Sequence, residues 1–399
     1  MKLQKSVLYL ILILLAGLVV RLLVSPYYTH GNDMGLWKYW ANDISMQGFH
    51  NYFEKTWTDY LPFYFYILFI LGKISLVFNI NNDLLFKMPG ILADLGTSLV
   101  IYLLLKKYQI KNSLLYTSLF IFNPAIFANS SMWGQVDGLG VFLIILALYF
   151  FMNKKVILMG VSLSAALLFK PLYLIALPIF LLGLFKINRN KIPTFIFSLT
   201  IFTFLIAAPF AGNILFTPHL IFDRYFASIN QYNYASVNAF NFWSALGQNW
   251  VSDKLTFFNI PYNIWGLLIF GNLFLMILVN LFLKKFTDQR KTLRILAITI
   301  TLSFLCIFTF ATKVHERHML TALPFLVLLI GRNAFFNASY FFLSVLYLIN
   351  LYFGYKYLYE GFIFTNDIVR MISTIVVLTC VGLFFYSIFI WKNLEYEKV

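Results

Sequence analysis

The sequence is poor in charge and in cysteine. Only 11% of its 399 residues are charged, whereas a soluble protein has about 25%. Its two cysteines, Cys306 and Cys380, both lie in apolar runs, so no disulfide is expected. No internal repeat is apparent, and no polar segment is long enough for a separate soluble domain. These scarcities exclude a soluble enzyme, a disulfide-stabilised secreted domain and a repeat protein.

Apolar and aromatic residues dominate the composition. Hydrophobic residues make up 61% of the chain, and aromatics make up 20%. Repeated apolar runs of about 17–25 residues are typical of transmembrane helices. The first run follows MKLQK and lacks a small-residue cleavage site, so we interpret it as an uncleaved first helix. We therefore predict an all-α polytopic membrane protein, with residues 1–399 forming one membrane domain.

The distribution of charge predicts the topology. The net charge of +15 is typical of the positive-inside rule, because Lys and Arg gather in short loops between apolar runs. We therefore expect membrane lipids, and no nucleic acid, as partners. The cytoplasmic segments contain only three acids, Asp288, Glu395 and Glu397. Every other acid and all histidines fall in outer loops or near the membrane, which indicates that chemistry takes place at the outer face.

The first helix is predicted at 6–25, which places the polar loop 26–60 outside. Lys106 and Lys107 are expected in the cytoplasm, so the chain must cross the membrane an odd number of times between the outer loop and these lysines. Two apolar stretches lie in between. We therefore interpret residues 61–80 as an interfacial or re-entrant helix and residues 84–105 as the next span. The alternative is that both stretches are ordinary spans, which would reverse the predicted side of the membrane for every later loop. With two short helices within 156–185, broken at Lys170-Pro171, this gives about 12 transmembrane helices. The other spans are predicted near residues 113–130, 137–152, 192–211, 262–283, 295–311, 319–331, 335–352 and 369–391.

Polar clusters are few, and in this topology all of them face the outer side. They are HGND (30–33), TDYLPFY (58–64), SSMWGQVDG (130–138), FKP (169–171), RYFASINQYNYASVNAFNFWS (224–244) and KVHERH (313–318). Convergence of such groups in one place is what an active site needs. We expect the external loops 26–60 and 212–261, themselves helical, to cover that site.

The order of these motifs resembles the GT-C glycosyltransferases, multi-spanning enzymes that use sugars linked to polyprenyl phosphate. The resemblance rests on an acidic first loop, D-Y-x-P, K-x-P-G-x-x-A-D (87–94), N-P, W-G-Q-x-D (133–137), K-P, N-A-x-N-x-W (238–243) and H-E-R (315–317). It is closest to polyprenyl- or dolichyl-phosphate-sugar-dependent mannosyl- and glucosyltransferases. It implies a GT-C fold, a polyprenyl-phosphate-sugar donor and a lipid-linked or glycan acceptor.

The resemblance also implies that the first-loop acid, Asp33, is the catalytic base that takes a proton from the acceptor hydroxyl. The alternative is that Asp33 caps a helix beginning near Met34. Asp59 is expected to align the acceptor or to act as a second acid, unless it is an interfacial turn residue. Asp94 is interpreted as a structural acid that pairs with Arg21 inside the protein.

Further site residues follow from the later motifs. Gln135 and Asp137 are expected to recognise the sugar or the donor, and Trp133 to offer a stacking face. A helix cap within an interfacial tryptophan belt is the alternative for this motif. Lys170 is expected to bind the donor phosphate or an acidic partner, or else to snorkel.

The H-E-R motif is predicted to contact the donor phosphate. Arg317 presents the planar fork that suits phosphate, with His315 and Glu316 beside it and Arg224 as a helper. Interfacial anchoring is the alternative. Asn241 and Trp243 are substrate-binding candidates from their own motif. The H-E-R-H spacing differs from that of zinc proteases, so no cofactor or metal is expected.

These observations predict an inverting hexosyltransferase, with mannose or glucose as the sugar, acting at the non-cytoplasmic face of the cell membrane. A lipid-linked-sugar flippase or transporter is one alternative, and a lipid-diphosphate-dependent glycan polymerase or ligase is another. Transporters place their polar sites on broken helices at the midplane. Here the polar residues cluster at helix ends on one face, which favours an enzyme.

Overall fold

A computed structural model of the chain describes residues 2–212, 219–361 and 363–390. The predicted cytoplasmic residues Lys392, Glu395, Glu397 and Lys398, and residues 213–218 of the second external loop, lie outside these ranges. In the described chain the fold is all-α apart from one short hairpin, in which β1 (Thr256–Phe257) pairs antiparallel with β2 (Ile260–Pro261). The all-α prediction is therefore confirmed.

The helices are α1 Lys2–Val24, α2 Gly31–Gln47, α3 Phe49–Lys55, α4 Pro62–Phe78, α5 Asp83–Lys107, α6 Ser113–Ile121, α7 Pro124–Phe127, α8 Asp137–Met152, α9 Val156–Leu167, α10 Ala176–Asn188, α11 Ile192–Ala211, α12 His219–Ile229, α13 Phe242–Ala245, α14 Tyr262–Leu283, α15 Gln289–Phe310, α16 Leu323–Val327, α17 Ala334–Glu360 and α18 Asn366–Phe385. Short 3-10 or π segments join several of them.

Seven helical stretches in the described chain are long and apolar enough to cross a membrane. They are 5–24, 83–107, 171–211, 262–283, 289–310, 334–357 and 366–389. Helices α4, α8 and α9 are apolar but shorter. The length and composition of these helices are those of a polytopic membrane protein.

Two predicted spans are not continuous helices. Residues 113–130 break after α6, because Pro124 disfavours helix at Asn123, and the Asn123 side chain accepts the Ala125 N–H at 3.0 Å. Residues 319–331 form a 3-10 segment and the five-residue α16, with Pro324 at its start. Nearly all of this second stretch is buried inside the protein, so its hydropathy reflects a protein core.

The chain divides into two compact units. The first consists of residues 1–122, 126–177 and 188–231, and the second of residues 123–125, 178–187 and 232–399. The single membrane domain expected over 1–399 stays a prediction.

In the first unit, α2 packs along α4. Gly72 permits this close approach, since a Cβ atom there would lie 2.0 Å from the Ala41 carbonyl oxygen. At one end of the contact, Trp37 meets the Tyr60 and Tyr64 rings edge-on at 5.2 and 5.6 Å. The polar first loop is thereby fixed against the N-terminal end of α4.

The predicted break at Lys170-Pro171 is confirmed. Helix α9 ends at Leu167, and a 3-10 segment begins at Pro171. The break meets the start of α4, because Leu61 N–H donates to the Phe169 carbonyl at 3.3 Å and Phe63 N–H donates to the Leu168 carbonyl at 2.8 Å. These bonds satisfy carbonyls that the end of α9 leaves open.

The predicted pairing of Arg21 with Asp94 is also confirmed. Both side chains are buried, and the guanidinium donates twice to one carboxylate oxygen, each time at 3.0 Å. Ser130 donates to the same oxygen at 2.7 Å, and Arg21 also donates to the Ile121 carbonyl at 2.8 Å. This network joins α1, α5 and the segment that carries the W-G-Q-x-D motif.

In the second unit, the segment before α13 runs beside the H-E-R motif. Val237 N–H donates to the Val314 carbonyl at 3.0 Å, and Lys313 N–H donates to the Tyr234 carbonyl at 2.9 Å. The Asn350 amide of α17 bonds the same segment at the Asn238 carbonyl, at 2.6 Å. The N-A-x-N-x-W and H-E-R motifs are thus neighbours in space, as predicted.

Asp94→Ala is expected to destabilise the protein by about 3–5 kcal/mol, because it leaves the Arg21 charge buried and unpaired. Asp83→Ala is the matched control on the same helix. Asp83 pairs with Lys38 at 2.7 Å, but both side chains are partly exposed, so its loss is expected to cost less than about 1 kcal/mol. Chemical unfolding in detergent micelles measures both, and equal losses would contradict the account.

Candidate functional site

The HGND motif forms the first turn of α2. The helix begins at Gly31, and His30 is its N-cap, with Nδ1 accepting the Asp33 N–H at 3.3 Å. Asp33 therefore lies in the first turn, where a negative charge interacts favourably with the helix dipole. The interpretation of Asp33 as the cap of a helix beginning near Met34 is wrong, because His30 occupies that position.

The Asp33 carboxylate is held by one of its two oxygens. Trp133 Nε1 donates to Oδ2 at 2.8 Å, and Gln135 Nε2 donates to the same atom. In the described chain, Oδ1 accepts no hydrogen bond, and the side chain is 21% exposed. The carboxylate is thus fixed in orientation and keeps one oxygen available.

The two donors are placed by an irregular segment between α7 and α8. Residues 128–133 form a π-helix, and Gly134 follows with φ of +92°, a conformation that favours glycine. The Gln135 N–H donates to the Asn129 carbonyl at 2.9 Å, and Trp37 Nε1 donates to the Gly134 carbonyl at 3.3 Å. Such π-helical turns occur frequently at functional sites.

Lys87, of the K-x-P-G-x-x-A-D motif, was not predicted as a site residue. It is fully buried, and its Nζ donates to the Ser25, Tyr28 and Met132 carbonyls at 2.7, 2.5 and 3.4 Å. It therefore joins the chain just before α2 to the π-helix that carries Trp133. A lysine within an apolar helix is costly unless paired, and this was the sequence signal for its role.

Trp133 does not offer an open stacking face. It is only 4% exposed, and its ring stacks on His30 with centroids 4.8 Å apart and planes 15° apart. The expectation that a sugar stacks on Trp133 is therefore corrected: the indole contacts His30 by its face and Asp33 by its N–H.

Lys170 has the acidic partner that was predicted as one of its roles. Its Nζ lies 2.6 Å from Asp137 Oδ1, and both side chains are nearly buried. The ammonium also lies over the Tyr60 ring at 4.4 Å. Asp137 is in the first turn of α8 and does not cap it, since Val136 holds the N-cap position. The pair links the W-G-Q-x-D and K-P motifs.

Three carboxylates lie near enough to the Tyr64 hydroxyl to affect its pKa. Burial first, and then the negative charges of Asp59, Asp137 and Asp33, raise the pKa of Tyr64 well above its usual value. The phenol therefore stays protonated, and its buried oxygen makes no hydrogen bond within the described chain. The first-loop acid, Asp59 and the W-G-Q-x-D acid thus meet in one region of the first unit, together with the Lys170 cation.

Arg224 contacts the first loop. Its guanidinium donates to the Phe53 and Thr56 carbonyls at 2.6 and 2.7 Å, at the end of α3, and lies over the Phe53 ring. From the next turn of α12, Ser228 donates to the Asp59 carbonyl at 2.8 Å. These contacts give Arg224 a positioning role, and its part in phosphate binding stays a prediction.

The H-E-R motif begins a 3-10 helix in the second unit. His315 is its N-cap, and Arg317 Nη1 lies 3.1 Å from Glu316 Oε1. Glu316 is buried against Gly354, where a Cβ atom would lie 2.7 Å from the Glu316 Cγ. The guanidinium is therefore oriented by an acid from its own motif, and its contact with a donor phosphate stays a prediction.

Asn241 and Trp243 have structural contacts. Asn241 is fully buried and caps α13, accepting the Trp243 and Ser244 N–H groups at 3.1 Å. Trp243 is 2% exposed, and its Nε1 donates to the Phe310 carbonyl at 2.9 Å. The cap and its packing give the N-A-x-N-x-W motif a structural role, and the part of Asn241 and Trp243 in substrate binding stays a prediction.

No group of three or more potential metal-binding His, Cys, Asp or Glu side chains occurs within residues 2–212, 219–361 and 363–390. Cys306 and Cys380 are both buried free thiols. The acids of the first unit are instead placed against an ammonium, an indole N–H and an amide. This arrangement suits hydrogen bonding and proton transfer to a hydroxyl-bearing substrate.

No protein-family model matches the chain, and no curated protein is significantly similar to it in sequence. The likeness to GT-C enzymes therefore rests on the sequence motifs and their order alone.

Lys170→Met is expected to destabilise the protein by about 3–5 kcal/mol, because Asp137 would stay buried without its cation. The double variant Lys170→Met/Asp137→Leu is expected to recover most of that loss, since both charges are then absent. Lys38→Met, which removes the cation of a half-exposed pair, is the control, with a loss of less than about 1 kcal/mol. Equal unfolding free energies for the single and double Lys170 variants would contradict this assignment.

Proposed function

We propose that the protein is an inverting membrane glycosyltransferase that moves a hexose from a polyprenyl-phosphate donor to an acceptor hydroxyl. The observation that carries the proposal is the Asp33 carboxylate, which two donors hold by one oxygen while the other oxygen stays open. A base that must accept a proton in one direction needs this combination of orientation and access.

In the proposed step, Asp33 Oδ1 takes the proton of the acceptor hydroxyl while the acceptor oxygen attacks the anomeric carbon. The bond from that carbon to the phosphate oxygen breaks, and polyprenyl phosphate leaves with the electron pair. One displacement without a covalent enzyme intermediate inverts the anomeric centre. The reaction needs no redox cofactor, because no atom is oxidised or reduced.

Other groups are assigned to the remaining needs of this reaction. Asp59 is assigned to aligning the acceptor, since it lies in the same acidic region as Asp33. The Asp137–Lys170 pair is assigned to shaping the sugar subsite, and Gln135, which bonds Asp33, to orienting the base. Arg317, oriented by Glu316 and flanked by His315, is assigned to the departing phosphate, whose negative charge its planar fork would stabilise.

We propose a polytopic topology, with the site facing the non-cytoplasmic side of the cell membrane and external segments as its cover. Helix α4 is assigned to the interface. The packing of α4 along the polar helix α2 supports this assignment.

Asp33→Asn is expected to lower the turnover number by at least about 100-fold with little change in donor binding, because the amide cannot accept the proton. Asp43→Asn is the matched control. Asp43 lies on the same helix but bonds Gln47 and Thr56, so its loss is expected to leave turnover within about twofold. The assay follows labelled mannose or glucose from polyprenyl phosphate into the acceptors of native membranes.

Turnover by Asp33→Asn equal to the unchanged protein would remove Asp33 from the mechanism. Transfer from a polyprenyl-diphosphate sugar, with none from the monophosphate, would contradict the donor class and favour a polymerase or ligase. Movement of the labelled lipid across vesicles without formation of a new glycoside would favour a flippase.

Gln135→Met is expected to lower the turnover number by about tenfold or more while the donor KM changes little. The change keeps the side-chain length but removes the amide N–H that orients Asp33, and misorientation of a base by a fraction of an ångström slows proton transfer. Gln47→Met, on the exposed end of α2, is the control. A raised KM with unchanged turnover would assign Gln135 to binding alone.

A further inference from the structure

An apolar groove runs between α14, α15 and α18 of the second unit. Its volume is about 220 Å³, and apolar or thiol side chains line nearly all of it. The groove lining includes Leu273, Leu305, Cys306, Cys380 and Phe384. All three helices are long and apolar enough to lie in hydrocarbon, so a lipid chain matches the chemistry of this surface.

One end of the groove opens into a more polar cleft. A cleft of about 20 Å³, which shares Leu302 with the groove, is lined by the polar side chains of Asn280, Lys284, Thr299 and Ser387. Lys284 is only 8% exposed, and Ser387 is 2% exposed. The Ser387 hydroxyl makes no hydrogen bond within the described chain. Buried polar groups normally have a partner, so this hydroxyl points to a polar ligand or a water at the cleft.

The groove and cleft together have the length of a lipid chain. Along α15 they extend from Ile295 in the cleft to Phe310 in the groove, which corresponds to about 22 Å at 1.5 Å per residue. Half of a bilayer's hydrocarbon core is about 15 Å thick. A chain that lies in the groove can therefore place its head group at the mouth of the cleft, beside Lys284.

Charge favours an anionic head group at that mouth. Lys284 directly follows the end of α14, where the helix dipole is negative and a lysine ammonium is stabilised. The first turn of α15, which follows the loop, adds Arg290 and Lys291, and Asp288 is the one acid between Lys284 and Arg294. A basic segment next to a membrane helix attracts anionic lipids.

We propose that this groove and cleft are a binding site for an anionic glycerophospholipid. Its acyl chain lies against α14, α15 and α18, and its phosphate is bound by Lys284, with the Ser387 hydroxyl bonding to it through the one water that the cleft can hold. The cleft itself holds about one water molecule, so the phosphate sits at its mouth. The site stands whether or not the proposed glycosyl transfer is correct.

The full chain in detergent is tested with phosphatidylglycerol that carries a photoreactive diazirine in mid-chain. Cross-links are expected in peptides that contain residues 302–310 and 380–385. Lys284→Gln is expected to reduce this labelling at least fivefold. Lys285→Gln, which removes an exposed cation of the same loop, is the matched control and is expected to leave labelling unchanged. Circular dichroism and thermal unfolding establish that both variants are folded.

Equal labelling by phosphatidylcholine with the same chain would overturn the proposal, as would equal labelling of the Lys284→Gln and Lys285→Gln variants. Competition by excess polyprenyl phosphate, but not by phosphatidylglycerol without the diazirine, would assign the groove to the donor lipid and overturn it too. Inorganic phosphate is expected not to compete, and competition by it would show that the cleft binds phosphate without the lipid.

Discussion

The structure depends on the cost of placing a polar group in an apolar interior. In a chain with so little charge, each buried ion needs a partner nearby, and the partner is often far away in sequence. Arg21 pairs with Asp94, and Lys170 pairs with Asp137. Lys87 donates hydrogen bonds to three backbone carbonyls. These contacts fix the segments around residues 25–33, 128–137 and 168–171 against one another, so the polar motifs converge because their charges require it.

Asp33 departs from this pattern in an informative way. Its carboxylate is bound on one side by Trp133 and Gln135, yet part of it stays exposed and one oxygen accepts no hydrogen bond in the described chain. The buried Arg21–Asp94 and Lys170–Asp137 pairs of the same unit supply rigidity. A well-oriented acid that stays partly exposed is the arrangement that our functional proposal builds on.

Sequence reasoning located the groups of the first unit but not their contacts. The convergence of HGND, D-Y-x-P, W-G-Q-x-D and K-P was expected from the predicted topology, and in the structure charge pairs and hydrogen bonds link these motifs. The break before Pro171 and the Arg21–Asp94 pair followed from the stiffness of proline and the cost of a buried charge. The roles of His30 and Lys87 depend on φ/ψ values and on carbonyl directions, which periodicity does not encode.

Other errors have one physical origin. Hydropathy measures how apolar a segment is and does not tell lipid from protein interior, so the segment near 319–331 was taken for a span. In the same way, Trp133 has the residue type of a sugar-stacking side chain, whereas its ring stacks on His30. The substrate-binding roles of Asn241 and Trp243, which come from their motif, stay predictions. The motif chemistry was informative where charges were involved and less so for aromatic and amide side chains.

The central claim is that the open oxygen of Asp33 faces the reacting sugar. The most direct measurement is a cryo-EM structure of the full chain in a lipid nanodisc with a non-hydrolysable polyprenyl-phosphonate hexose. The account predicts the anomeric carbon opposite Asp33 Oδ1, with room for one acceptor hydroxyl about 3 Å from the carboxylate, and Oδ2 still bound by Trp133 and Gln135. A hexose bound elsewhere, with Asp33 covered by protein, would contradict it.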